Sequence, residues 1–331
     1  MYRQIRLHDD DTTFHRILWR DDPSEEIREY GMKRLTFGTN YAPCGAIQTV
    51  RDLAETNEPT YPEAAKIIKK DIYVDDIISG SHDLPSALRL QKEIIEIFKS
   101  GCFDVKKWAS NTNELLEVVP PEDREVSIPL SLNPDKTVKT LGIYWNSKSD
   151  ALNFKFKYDT DGPLTKRFVL SNIARLFDPM GLLAPITVKA KLFMKRIWAS
   201  QCDWDELISS VIADDWKKFV AQFTLFPSFE IPRWIQTTPD ACLQLHGFSD
   251  ASTDAYGAAI YIRCVSEDGV ISTRLLIAKS KVTPRVLQTI PRLELRAASL
   301  LALLMAYVLR SLRHHHFDPT SIHFWTDSKV G

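Results

Sequence analysis

The stretch Ile72-Tyr73-Val74-Asp75-Asp76-Ile77-Ile78-Ser79-Gly80 places two adjacent carboxylates between two short apolar, β-prone runs. This pattern predicts a β-hairpin with the acid pair at its turn. Carboxylate oxygens are the ligands that hard divalent cations prefer, and a hairpin tip could present such cations to a phosphate. The alternative is a solvated turn, because Asp favours turns for purely local reasons.

Further blocks lie on both sides of this hairpin in a fixed order. Upstream, residues 35–43 carry Gly38 and Pro43, five positions apart; downstream, residues 101–111 contain Lys107 and residues 141–145 contain Gly142. With Tyr73-Val74-Asp75-Asp76, these blocks resemble motifs B, C and D and the primer grip of reverse transcriptases. Their order, and the later block at 176–185, are similar to BEL/Pao-type LTR retrotransposon polyproteins.

The resemblance implies RNA-directed DNA synthesis with Mg²⁺, or with Mn²⁺ in its place, on an RNA template with a DNA primer and dNTPs. It makes Asp75 and Asp76 catalytic metal ligands. It also implies a substrate-binding set formed by Tyr2, Gly38, Pro43, Tyr73, Lys107 and Gly142. Tyr2 matches the aromatic residue that lies under the sugar and disfavours a 2′-hydroxyl.

Composition sets wider bounds. The 331 residues suggest two or three domains, and the net charge of −1 neither supports nor excludes a nucleic-acid partner. The five cysteines are scattered without a Cys-X-X-Cys pair, so we predict neither a zinc site nor a disulfide framework. The N-terminus has no secretory apolar segment, and we predict an intracellular protein, cytoplasmic or nuclear, that does not engage a membrane. The oligomeric state stays open.

Periodicity and turn signals predict a multidomain α+β or α/β fold. Helices are predicted at 62–70, 84–100, 164–177, 186–200 and about 291–313, and strands at 138–145, 153–158, 243–250, 256–263, 272–278 and 321–326. The resemblance divides the chain into a partial reverse-transcriptase palm (1–160), a helical thumb or connection (161–238) and a ribonuclease H-like mixed sheet (239–331).

The predicted helices between 164 and 200 concentrate positive charge against the single acid Asp178. The cations are Lys166, Arg167, Arg175, Lys189, Lys191, Lys195 and Arg196. One interpretation is solvated helix faces, which is what most charge runs are. The other is a surface that follows nucleic-acid phosphates, which the resemblance to a polymerase thumb favours.

A second acidic set is spread through the last third of the chain. Asp250 and Asp327 each end a predicted strand, and Glu294 begins a predicted helix. Each acid alone could serve as a cap or turn residue. Together they resemble the ribonuclease H fold of retroelements, which implies a two-metal site that cleaves RNA in an RNA–DNA hybrid.

The resemblance also implies an incomplete enzyme. The motif A Asp would precede Tyr2 by five positions, and a further ribonuclease H acid would follow Asp327; neither position lies in these 331 residues. We therefore expect a fragment of a longer polyprotein with impaired activity. The alternatives are a catalytically dead remnant that still binds nucleic acid, or a truncated gene model whose native product is longer and active.

Two other features are not predicted to form sites. The chain contains no Asp-Ser-Gly or Asp-Thr-Gly motif, so we do not predict a protease. We interpret His314-His315-His316 as a polar helix end.

Overall fold

The computed structural model describes residues 1–125, 137–140, 143–154, 159, 162–222, 230–238, 240–284, 286, 288–314 and 317–328. The chain forms two compact units, Met1–Val126 and Ser127–Gly331. The helices and strands of the first unit are β1 (Arg16–Trp19), β2 (Arg28–Gly31), α1 (Ala42–Asn57), α2 (Pro62–Asp71), β3 (Ile72–Tyr73), β4 (Asp76–Ile77), α3 (Leu84–Ser100) and α4 (Asn113–Glu117).

Helices α1, α2 and α3 form the core of the first unit. Val50, Ile68 and Ile97 have no exposed surface, one from each helix. The Asp83 side chain accepts a hydrogen bond from the Ser86 N–H, 2.8 Å, which caps the start of α3. The predictions of α2, of α3 and of the hairpin β3–β4 are confirmed. Helix α1 was not predicted, because Gly45 and Thr49 weaken its helical pattern.

The second unit begins with a four-stranded antiparallel sheet in the order β5-β6-β7-β8. Its strands are β5 (Thr137–Thr140), β6 (Ile143–Asn146), β7 (Ala151–Asn153) and β8 (Glu230–Pro232). The prediction of one strand over 138–145 is wrong, because Val138 of β5 pairs antiparallel with Trp145 of β6. The strand predicted at 153–158 extends beyond the described residues after residue 154. Leu152 of β7 pairs with Ile231 of β8.

Three helices follow in the second unit: α5 (Lys166–Ala174), α6 (Ala184–Ala199) and α7 (Ser210–Ala221). Val169, Ala190 and Ile197 are fully buried where these helices meet, and Trp216 and Phe219 of α7 close the cluster against Phe193. The aromatic residues at helical spacing on α7 thus pack inward, against the aliphatic residues of the cluster.

A second mixed sheet, in the order β11-β10-β9-β12, ends the second unit. It comprises β9 (Cys242–Ala251), β10 (Ala255–Val265), β11 (Ile271–Val282) and β12 (Ser321–Trp325), covered on one face by α8 (Ile290–His314). The alternating burial of β9 and β10 follows from this one covered face. By length and composition α8 is the one described helix that could cross a membrane. Core helices pass the same test, and Leu293, Leu301 and Met305 of α8 are buried in this core.

The turn between α5 and α6 joins the edge of the second sheet. Ala278 of the edge strand β11 donates its N–H to the carbonyl oxygen of Met180, 2.9 Å. Gly181 lies beside it at φ +69°, and a Cβ there would come within 2.5 Å of the Ala278 carbonyl carbon. Only glycine permits this approach. The helices α5–α7 and the sheet β9–β12 are therefore packed together within the second unit.

Candidate metal-binding carboxylates and the surrounding basic residues

Three carboxylates meet at one edge of the second sheet. Asp250 lies at the end of β9, Asp327 follows β12, and Glu294 lies near the start of α8. Because β9 and β12 are parallel, their carboxyl ends lie at the same edge. The ligand oxygens of the three side chains all lie within 4.8 Å of one another. The structure thus brings together the three acids that the sequence singled out.

The environment of these acids suits a cation. Burial raises the pKa of Glu294, and the charges of Asp250 and Asp327 raise it further. Its Oε2 atom is buried and has no hydrogen-bond partner among the described residues. The N–H of Ala251, which donates to Asp250 Oδ1 at 2.7 Å, acts in the opposite direction and lowers the pKa of Glu294. An all-oxygen donor set with an orphaned buried oxygen fits Mg²⁺ or Mn²⁺.

The acidic hairpin of the first unit is formed as predicted, with Tyr73 of β3 paired to Asp76 of β4. Val74 adopts φ 57° at the tip, and the Tyr73 side chain is exposed. Partial burial raises the pKa of Asp76, and so does Asp75, whereas Lys107 lowers it. Lys107 is therefore close to the acid pair. Among the described residues, no third Asp, Glu, His or Cys joins Asp75 and Asp76 in a cluster of metal ligands.

Other residues predicted to bind substrate are partly brought together. The rings of Tyr2 and Phe37 lie 4.9 Å apart, so Tyr2 contacts the segment that carries Gly38. Gly38 has φ +83° and open space around it, and Pro43 lies in the first turn of α1. Gly142 lies outside the described residues. The roles of these side chains stay predictions.

Most of the predicted basic surface is already paired within the protein. Arg167 binds Asp205 at 2.7 Å, Arg175 binds Asp159 at 2.7 Å, and Arg196 binds Asp215 at 2.9 Å. Each of these acids lies outside the 164–200 window, where only Asp178 was counted.

The structure corrects the prediction that Lys166 belongs to an exposed basic surface. It is 8 % exposed and donates to the Cys202 carbonyl oxygen at 2.7 Å. Its Nζ lies 5.7 Å from the ring centroid of Trp198 and 5.4 Å from that of Trp204. A lysine enclosed in this way stabilises the fold by hydrogen bonding and cation–π attraction and is not available to a phosphate.

Two further lysines of α6 bind the second sheet. Lys191 donates to the Ser280 carbonyl oxygen at 3.1 Å, and Lys195 donates to Thr283 Oγ1 at 2.6 Å. Lys189 is exposed. Of the predicted basic surface, Lys189, Lys195 and Arg196 line a groove of about 570 Å³ between α6 and α7. Its charged lining consists of Lys189, Lys195, Arg196, Lys218, Asp215 and Asp254.

Lys218 was missed by the sequence analysis. It lies on α7, outside the basic helices that the sequence predicts between 164 and 200. The periodic run Ile212, Trp216 and Phe219 predicts that helix, and Lys218 would then have been placed on its polar side.

The family model of the Pao retrotransposon-like RNaseH-like domain matches residues 165–328. This part of the chain belongs to that family. The Pao RNaseH-like domain, so defined, begins beside α5 and contains both the α5–α7 helices and the sheet β9–β12 with its three carboxylates.

One solved structure with a similar fold is the foamy viral protease-reverse transcriptase dRH in complex with double-stranded DNA. The match covers 98% of this chain at 14% identity with a TM-score of 0.54. At this identity the likeness concerns the fold. The chain spans 48% of the length of the viral protein, about half. No curated protein sequence matches this chain. The match supports the predicted multidomain α+β fold.

Proposed function

We propose that the Pao RNaseH-like domain of this chain cleaves the RNA strand of an RNA–DNA hybrid with the help of Mg²⁺ or Mn²⁺. The observation that carries this proposal is the convergence of Asp250, Glu294 and Asp327 within 4.8 Å at the strand ends. The orphaned Oε2 of Glu294 adds a second reason, because an unpartnered buried carboxylate oxygen is costly without a cation or a proton.

Each of the three acids has its own proposed role in binding the metal and the substrate phosphate. Asp250 and Asp327 are exposed, so a substrate phosphate can approach them from solvent. Glu294 would supply a ligand from its partly buried position, and the Ala251 N–H orients Asp250. When bound, the metal would supply activation of water and stabilisation of the leaving oxygen.

The groove between α6 and α7 is the proposed contact for the nucleic-acid backbone. Lys189 and Lys218 bring positive charge to a lining in which Arg196 is paired with Asp215 and which also includes Asp254. Asp254 lies four residues after Asp250, in the turn that follows β9, so the groove lining includes the turn that follows the Asp250 strand. Phosphate contacts of this kind hold a duplex without reading its sequence.

The test is cleavage of an end-labelled RNA–DNA hybrid with Mg²⁺ and with Mn²⁺. Asp250→Asn should abolish cleavage, whereas the matched control Asp268→Asn, an exposed acid in the β10–β11 turn, should not change it. Equal cleavage by the wild-type and Asp250→Asn proteins would contradict the proposal. Hybrid binding without cleavage by any variant would support the alternative of a remnant that binds nucleic acid.

For the first unit we propose a contribution to RNA-directed DNA synthesis by the parent polyprotein. The hairpin that carries Asp75 and Asp76, with Lys107 near its tip, supports this second function. In primer extension by a polyprotein that contains this chain, Asp76→Asn should stop synthesis, whereas Glu63→Gln, at an exposed acid in the first turn of α2, should not. Full extension by Asp76→Asn would refute the role of the hairpin.

A further inference from the structure

We propose that Thr283 and Lys195 are positioning residues for the carboxylate site, and that α6 thereby orders the turn that follows Asp250. The proposal rests on the proposed function of that site. It assigns to the helices α5–α7 a role in metal binding as well as a surface for nucleic acid.

Thr283 connects α6 to the β9–β10 turn. It follows β11 directly and is 6 % exposed. Its N–H donates to the Asp254 carbonyl oxygen at 2.9 Å, and its hydroxyl lies 2.8 Å from the Thr253 carbonyl oxygen and 3.1 Å from that of Asp254. Lys195 Nζ then donates to the same hydroxyl at 2.6 Å. A single buried threonine thus joins α6 to the β9–β10 turn.

The turn transmits this restraint to the carboxylates. Ser252 and Ala255 close it through the Ser252 N–H, which donates to the Ala255 carbonyl oxygen at 2.8 Å. The Ser252 hydroxyl accepts from the N–H groups of Asp254 and Ala255. One residue before the turn, the Ala251 N–H donates to Asp250 Oδ1 at 2.7 Å. The backbone that Thr283 holds is therefore continuous with the N–H that orients Asp250.

The helix that supplies Lys195 is itself fixed to the sheet. Gly181 and Met180 pack on Ala278, and Lys191 donates to the Ser280 carbonyl oxygen at 3.1 Å. Lys191 and Lys195 lie one helical turn apart and both bind the end of β11, yet only Lys195 reaches the residue that holds the turn. This difference provides a matched pair of variants.

Removal of the Thr283 hydroxyl should loosen the turn without unfolding the sheet. Valine has nearly the shape of threonine and suits a strand end, so Thr283→Val deletes the hydrogen bonds alone. The Lys195 ammonium would lose its acceptor, and the turn would lose its side-chain donor. Residues that orient metal ligands from outside the coordination sphere typically change metal affinity about 10- to 100-fold.

The experiment measures two properties of the full chain. Calorimetric titration with Mn²⁺ should show about tenfold weaker binding for Thr283→Val and Lys195→Met. Hydrogen exchange of the metal-free protein should show faster exchange at the Ser252 and Thr283 amides. Thr283→Ser, which restores the hydroxyl, should recover both properties, and Lys191→Met should change neither.

The outcomes separate this proposal from the proposed function. Wild-type exchange rates at the turn in Thr283→Val and Lys195→Met would overturn the positioning role, whatever the activity. Equal losses in Lys191→Met would also overturn it, because the effect would then belong to general packing of α6. If Asp250→Asn binds Mn²⁺ as well as the wild type, the metal site fails, while the exchange data still decide whether Thr283 holds the turn.

Discussion

Gly181→Ala should destabilise the second unit far more than any other glycine-to-alanine change with a similar backbone angle. Gly181 has φ +69°, a region that costs an alanine about 1–2 kcal/mol. Its new Cβ would lie within 2.5 Å of the Ala278 carbonyl carbon and closer still to its oxygen. Relief of that overlap moves backbone and costs about 1–3 kcal/mol more. It also threatens the hydrogen bond from Ala278 to Met180, worth about 0.5–1.5 kcal/mol.

The control is Gly269→Ala in the β10–β11 turn. Gly269 has φ +76° but open space around its Cβ position, so it isolates the cost of the backbone angle. We expect Gly181→Ala to lower the free energy of unfolding by about 3 kcal/mol or more, and Gly269→Ala by about 1 kcal/mol. The assay is urea unfolding followed by tryptophan fluorescence, with hydrogen exchange of the Ala278 amide as a local readout. Equal destabilisation by the two variants would refute the close packing of the α5–α6 turn on β11.

Three further predictions concern the charged residues. Lys218→Gln should lower the log–log salt slope of RNA–DNA hybrid binding by about 0.9, the value for one phosphate contact on duplex DNA. Lys217→Gln, at the exposed neighbour outside the groove, should leave the slope unchanged. The measurement is fluorescence anisotropy across a salt series, and equal slopes for the two variants would contradict the prediction. Lys166→Met should lower the free energy of unfolding by about 1–2 kcal/mol through loss of its hydrogen bond and cation–π contacts, and unchanged urea midpoints would contradict this. Burial raises the pKa of Asp178 above its ordinary 3.8, although the nearby Lys191 opposes the shift. The folded state therefore holds this proton more tightly, and the associated stability is present below pH 3.8 and is lost as pH rises through the folded-state pKa. Asp178→Asn should remove that loss, and an identical pH dependence of urea unfolding in both proteins would disprove it.

Local patterns in the sequence determined most of the helices and strands. Apolar residues at helical spacing, the Asp83 cap and Gly101 at the end predicted α3 within the bounds that the structure has. The hairpin β3–β4 followed from two apolar runs around an acid pair. The three carboxylates could also be found, because strand ends and helix starts are local features and parallel strands bring their ends to one edge.

Tertiary structure alone decided what the charged residues do. Arg196 pairs with Asp215 nineteen positions away, and Lys195 binds Thr283 eighty-eight positions away. No local pattern reports such distances, because a charge pair depends on which elements pack together and in what register. The same reason applies to Lys166, whose partners are two tryptophans and a carbonyl oxygen of a distant loop. The sequence therefore determined the elements and the acids at their ends, and only packing decided which cations remain free to meet a phosphate.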